Sequence, residues 1–227
     1  MPGYVLAFDT AMGGCSVAVL DTRTGVAVQD GRVMERGQSE ILVPLIQEIV
    51  RQAGCTMADL GLVVATVGPG GFTGLRIGLS TARSFGLALA IPVAGLRTTD
   101  VLLRAAKEKL NDQSHLLVVV ETKREDFYVQ EPGAEPGLRS FESLLLQYKD
   151  QPVTLCGDGV IRLQEKLGQV WPGAWRILND VVLPDPAVMA KMGVEDMMAG
   201  TLRAPDPVYL RDADVSQSKR VQRVIAE

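Results

Sequence analysis

Two short apolar runs open the chain, Tyr4–Asp9 (YVLAFD) and residues 15–20 (CSVAVL), joined by a Thr-Ala-Met-Gly-Gly turn. Runs rich in Val, Leu and Ala around a glycine turn predict a β-hairpin. Residues 25–35 add a third antiparallel strand. The period then lengthens: from Ser39 to Ala53 apolar residues recur at helical spacing, with Ser39 as N-cap and Gly54 as the stop. Pro44, five residues past that cap, either kinks this helix or marks a later start. A helical turn at 56–59 leads to a strand at 62–67, a glycine loop at 68–74, a helix to about Ala90 and a strand at 91–96. Strand, helix and strand in that order predict parallel pairing.

The remainder carries weaker periods. Thr98 caps a helix to Leu110; residues 116–120 and Asp126–Gln130 read as strands around the charged turn at 121–125, and 131–137 as a loop. Helices at Phe141–Tyr148, 160–167 and 184–199 and a strand at Val153–Cys156 follow, and the tail after Gly200 has no period. The order βββαβαβ followed by a shorter mixed half predicts two related α/β lobes, residues 1–97 and 98–200, with a tail at 201–227.

Two helices are more apolar than a core stripe requires. In the helix from Ser39, Ile41, Leu42, Leu45, Ile46, Ile49, Val50 and Ala53 cover about half the circumference. In the helix from Thr73 only Arg76 and Arg83 are charged, and Gly74, Gly78, Ala82, Gly86 and Ala90 form a row of small residues at i, i+4. Such a row is a shallow groove into which another helix packs. Two readings stay open: a helix squeezed against the sheet and a helix of its own chain, or a joint patch that docks on a partner. The second makes Leu42, Leu45, Ile46, Ile49, Gly74, Gly78, Ala82 and Gly86 the candidate interface.

Composition narrows the partners. The net charge of −4 argues against a surface that grips a nucleic-acid backbone unaided, though not against membership of a complex that does so. The three cysteines, Cys15, Cys55 and Cys156, are widely spaced beside apolar runs, as small buried residues in a reducing compartment would be. Asp9 interrupts the first apolar stretch, so no signal peptide is read, and the longest apolar run, 85–96, is broken by Pro92. A cytoplasmic protein without membrane segments is expected.

A strand–glycine loop–helix unit is where phosphates bind, because free N–H groups and the helix dipole favour an anion. The details fit neither common template. Leu75 follows Gly74 where a P-loop has Lys, and Gly68, Gly70 and Gly74 are spaced G-x-G-x-x-x-G, with no acidic residue closing the next strand. Asp9 ends the first strand, either as a magnesium-assisting carboxylate or as an ordinary turn former. The candidate nucleotide or anion site is therefore Asp9, Gly68, Gly70, Gly71, Thr73 and Arg76; the other reading of the glycines is close helix–sheet packing. His115 is the single histidine, so no paired-histidine metal site can be built, and no catalytic or metal residue is assigned.

The segment from Gly68 to Gly78 (GPGGFTGLRIG) with Ile91-Pro-Val-Ala-Gly95 resembles the signature of the TsaB (YeaZ) family. Asp9-Thr10 with residues 15–19, Ser39–Ile46 (SEILVPLI), Thr122–Tyr128 (TKREDFY) and Pro207–Arg211 (PVYLR) are similar to further stretches of it. Gln38, Ala11 and Gly71 depart from it, standing where many members carry His, Ser and Ser. The resemblance implies a two-lobed actin-like ATPase/sugar-kinase (ribonuclease H-like) fold with a reduced second lobe. It implies a non-catalytic subunit of tRNA N6-threonylcarbamoyladenosine synthesis that binds a catalytic TsaD-like subunit, with a TsaE-like ATPase as third member. It also implies a homodimer when the partner is absent, tRNA contact only through the complex, and no cofactor held alone, with ATP or ADP and magnesium at the complex interface as the open case. Three rivals remain: an ATP-binding kinase or ATPase of the same fold, a glycoprotease-like peptidase, which the single histidine opposes, and a homo-oligomeric scaffold outside tRNA modification.

Overall fold

The computed structural model describes residues 1–110, 115–168, 172 and 174–211. Strands β1 (Tyr4–Asp9), β2 (Gly14–Asp21) and β3 (Ala27–Val33) form an antiparallel meander. Helix α1 (Gln38–Gln52) leads back to β4 (Leu60–Thr66), which lies parallel to β1, and α2 (Phe72–Leu89) carries the chain to β5 (Val93–Leu96), parallel to β4. The sheet order is β3-β2-β1-β4-β5. Helix α3 (Thr98–Lys109) follows.

The same plan then repeats. Strands β6 (His115–Glu121), β7 (Asp126–Gln130) and β8 (Gly137–Ser140) form a second meander, followed by α4 (Phe141–Tyr148), β9 (Val153–Cys156), α5 (Gly159–Leu167), β10 (Trp175–Ile177) and α6 (Pro186–Ala199). The order β10-β9-β6-β7-β8, with β6, β9 and β10 parallel, is that of the first sheet. The copy is reduced: α4 and α5 have 8 and 9 residues where α1 and α2 have 15 and 18.

The layers follow from which residues are apolar. Leu6, Phe8, Val17 and Val19 on one face of the first sheet pack with Leu42, Ile46 and Ile49 of α1 and Ala82 of α2. On the other face Val5, Ala7, Leu62 and Val64 share a core with α3, α6 and with Leu116, Val118 and Val120 of the second sheet. Leu117, Val119 and Phe127 face α4 and α5. The third helices are exchanged: α3 packs on β6, whereas α6, expected as part of the second half, packs on β1 and β2. Gly193 permits this close approach, since a Cβ there would collide with Val64.

Smaller differences have local causes. Helix α1 runs through Pro44 and begins one residue before Ser39, with Gly37 (φ 95°) as its N-cap. Thr98 is the first residue of α3 rather than its cap. Residues 201–211 have no regular element but dock as an extended strap: Gly95 N–H donates to the Arg203 carbonyl oxygen at 2.9 Å and Val208 N–H to that of Val67 at 2.7 Å. Among the described residues no helix is long and apolar enough to cross a membrane.

Candidate functional site

Asp9 ends β1, where the strand's last inward position leaves its carboxylate buried. It accepts from the Thr66 hydroxyl at 2.5 Å and from Ala11 N–H at 3.1 Å, and burial pushes its carboxyl above the ordinary aspartate value despite those bonds. The glycine loop between β4 and α2 closes over the neighbouring Thr10–Ala11 turn. Gly71 N–H donates to the Ala11 carbonyl oxygen at 2.6 Å and the Thr10 hydroxyl to the Gly74 carbonyl oxygen at 2.7 Å. A Cβ on Gly70 would collide with the Ala11 carbonyl oxygen, and one on Gly74 with that of Thr10. Gly68 adopts φ 96°, which suits glycine, and lies beneath the strap at Val208.

Gly68, Gly70 and Gly74 thus serve close packing of hairpin, strap and α2, while Asp9 lines a pocket of about 190 Å³ with Cys15, Ser16 and Arg32. Thr73 and Arg76, grouped with them on sequence, are exposed on the outer side of α2.

The second copy of the fold places Asp158 at the equivalent turn, after β9 and before α5, preceded by Gly157 at φ 100° as Gly68 stands after β4. Its carboxylate accepts from Glu121 N–H at 2.9 Å; burial, and then the nearby Glu121 and Asp9 carboxylates, push its pKa up to about 6. Sequence reasoning missed Asp158. Its signal was a Cys-Gly-Asp-Gly turn between a strand and a helix, legible only once the duplication is seen. Burial also pushes the Cys15 thiol up to about 11 and that of Cys156 up to about 12. His115 is exposed at the start of β6.

The expected interface residues are internal. Leu42, Leu45, Ile46, Ile49 and Ala82 belong to the core between the first sheet and its outer helices. Gly78 lies under the Thr10 hydroxyl and Gly86 against Val93, so the small-residue row faces the hairpin and β5. The apolar excess of α1 and α2 serves the sheet and each other.

What the two helices do expose is the seam between their outer edges. An open groove of about 510 Å³ lies there, lined by Ser39 of α1 and by Phe72, Thr73, Arg76, Ile77 and Ser80 of α2. Val43 and Leu87 are exposed on the same two helices, Leu87 with 87% of its surface free. Phe72 stands against Tyr209 of the strap with ring centroids 5.4 Å apart.

Two duplicated βββαβαβ halves with exchanged third helices, and a shortened second half, define the actin-like ATPase class of α/β fold. Residues 31–141 match the family model of TsaD, tRNA N6-adenosine threonylcarbamoyltransferase. The tRNA threonylcarbamoyladenosine biosynthesis protein TsaB of Escherichia coli K12 is 28% identical over 92% of this chain and 94% of its own length. The protein of the same name from Buchnera aphidicola subsp. Schizaphis graminum is 32% identical over 54% of this chain, a match spanning 57% of that relative. YeaZ from Pseudomonas aeruginosa superposes with a TM-score of 0.74 at 20% identity, covering 92% of this chain and all of that one. The chain is thus similar, along most of its length, to proteins of the TsaB (YeaZ) family.

Proposed function

We propose that this chain is a non-catalytic subunit of tRNA N6-threonylcarbamoyladenosine synthesis, which docks on a catalytic TsaD-like subunit through the α1–α2 seam. The observation that carries this reading is the likeness, along 92% of the chain, to a protein named for that biosynthesis. Three features of the chain support a supporting rather than a bond-making role. The glycine loop is closed by its own hairpin. Asp9 is engaged by Thr66 and Ala11. The two most buried thiols are held protonated at neutral pH, and a thiol needs its thiolate form to attack.

In this reading the chain binds no nucleotide alone, and tRNA and a TsaE-like ATPase join through the complex. The outer seam of α1 and α2 carries the docking: an exposed groove lined in part by the apolar Ile77 and Phe72 fits a helix of the partner. The same face self-associates when the partner is absent.

The test combines cells and purified protein. Deleting the gene should abolish the modified adenosine in tRNA, and the wild-type gene should restore it. Ser80→Trp, placed in the groove on an exposed position, should leave the fold intact, lose the TsaD-like subunit in pulldown and fail to restore the nucleoside. Full modification in the deletion strain, or robust turnover by this chain alone, contradicts the reading. Adding ATP and magnesium to the same pulldown shows whether a nucleotide enters at the joint surface.

A further inference from the structure

Helix α2 carries two exposed arginines seven residues apart, and the fold treats them differently. Arg83 is neutralised within the chain: its guanidinium donates to the Asp206 carboxylate at 3.0 Å and to the Pro205 carbonyl oxygen at 2.7 Å, both on the strap. Arg76, two turns earlier, has no acidic side chain paired with it among the described residues. Its guanidinium instead lies over the Phe72 ring, 3.7 Å from the centroid, and its Nε donates to the Tyr209 hydroxyl at 3.5 Å. Tyr209 in turn rests against Phe72. Both rings are exposed, Phe72 by 38% and Tyr209 by 46%, so this stack stands on the surface at the edge of the groove.

An arginine laid over one ring and bonded to the hydroxyl of another has lost rotamer freedom before anything binds, which lowers the ordering cost of a later contact. Its planar fork still offers paired donors, the geometry that suits a carboxylate. A helix laid into the groove would cover this cation, and a covered cation without a counter-charge is costly.

We propose that Arg76 is the docking anchor of this surface, receiving a carboxylate from a helix of the partner protein that seats in the α1–α2 groove, with Tyr209 as the positioning residue that holds it ready. The inference rests on the docking reading above and adds the chemistry of the contact. Arg76, without an acidic partner among the described residues and beside the hydroxyls of Ser39, Thr73 and Ser80 on a chain of net charge −4, is matched to one acidic side chain. A phosphate backbone would call for several cations along a track.

The experiment is titration calorimetry of the full chain against the TsaD-like subunit from the same cell, at about 50 and 300 mM salt. The variants are Arg76→Ala, Arg76→Lys, Tyr209→Phe and the groove-blocking Ser80→Trp, each checked for an unchanged melting temperature. Arg76→Ala should weaken binding at least about tenfold and flatten its salt dependence. Arg76→Lys should restore only part of the affinity, because a point charge lacks the fork. One acidic residue of the partner's docking helix should show a non-additive loss with Arg76→Ala in a double-mutant cycle.

If Ser80→Trp abolishes binding while Arg76→Ala binds like wild type at both salts, the anchor is overturned and the docking surface stands. If Ser80→Trp binds like wild type, the docking surface is wrong and the anchor falls with it. An Arg76→Ala loss seen only against tRNA, with the subunit's affinity unchanged, also overturns the proposal.

Discussion

The Thr10 hydroxyl donates to the Gly74 carbonyl oxygen at 2.7 Å, while the Thr10 carbonyl oxygen occupies the place a Cβ on Gly74 would need. Hairpin and helix are thereby locked together at the end of β1. Gly74→Ala must force two backbones apart and is expected to cost about 1–3 kcal/mol. At Gly78 a Cβ would meet only the Thr10 hydroxyl, at 2.6 Å, which can rotate away at the loss of its bond, so Gly78→Ala should cost less. Urea midpoints at constant m measure both, and equal or absent losses would show that the lock is not where the packing puts it.

Ile46 is fully buried between β-strand side chains and α2, so Ile46→Ala leaves a cavity and should cost about 2–5 kcal/mol. Ser80→Ala, on the exposed seam a short distance away, should stay within about 0.5 kcal/mol. The pair separates core from surface on two adjoining helices. A small loss at Ile46 would restore it as a docking residue.

The first half of the fold was legible because its strands are long apolar runs bounded by glycine turns. Helix α1 is equally plain, but its half-circumference of apolar residues leaves open both packing within its own chain and docking on a partner. Periodicity cannot say whether the second contact is another molecule or, as here, the chain's own α2, because both bury the same side chains. Strands β8 and β10, of 4 and 3 residues, are too short to carry a period, and both were missed. The sequence predicts two related lobes but not their element-by-element match, because β6 to α6 repeat the topology and not the lengths. Helix α6 is close to the second sheet in sequence and packs on the first, a placement no local pattern encodes. The basic residues Lys219, Arg220 and Arg223, whose contact with RNA the sequence leaves open, lie outside the described residues.

Thiol chemistry offers a test of burial. Cys15 and Cys156 are buried with raised pKa values, and Cys55 is half-buried with its thiol directed at the Val50 carbonyl oxygen at 3.6 Å. A disulfide reagent attacks through the thiolate, so at pH 8 the native chain should show at most one slowly reacting thiol, Cys55. Unfolding in urea should release all three. Fast labelling of Cys15 in the native chain would mean that the packing between α1 and the first sheet opens readily.

Asp158 gives the chain a pH dependence of predictable sign. Burial, together with the Glu121 and Asp9 carboxylates, raises its pKa from the ordinary 3.8 to about 6 in the folded chain. Between those values the native state keeps a proton that the unfolded state releases, so this group's contribution is fully present below about pH 4, falls as pH rises, and is level above about 6. Asp158→Asn retains an oxygen to accept from Glu121 N–H at 2.9 Å and removes the charge. It should therefore be the more stable protein at pH 7.5, by on the order of 2 kcal/mol, with the gap closing towards pH 4. Denaturation midpoints of the two proteins across pH 4 to 8 measure the gap directly. A variant less stable than wild type at pH 7.5 would mean that the ionised carboxylate is held by a favourable partner, reversing the assignment of Asp158 as a carboxylate stranded at the turn between β9 and α5.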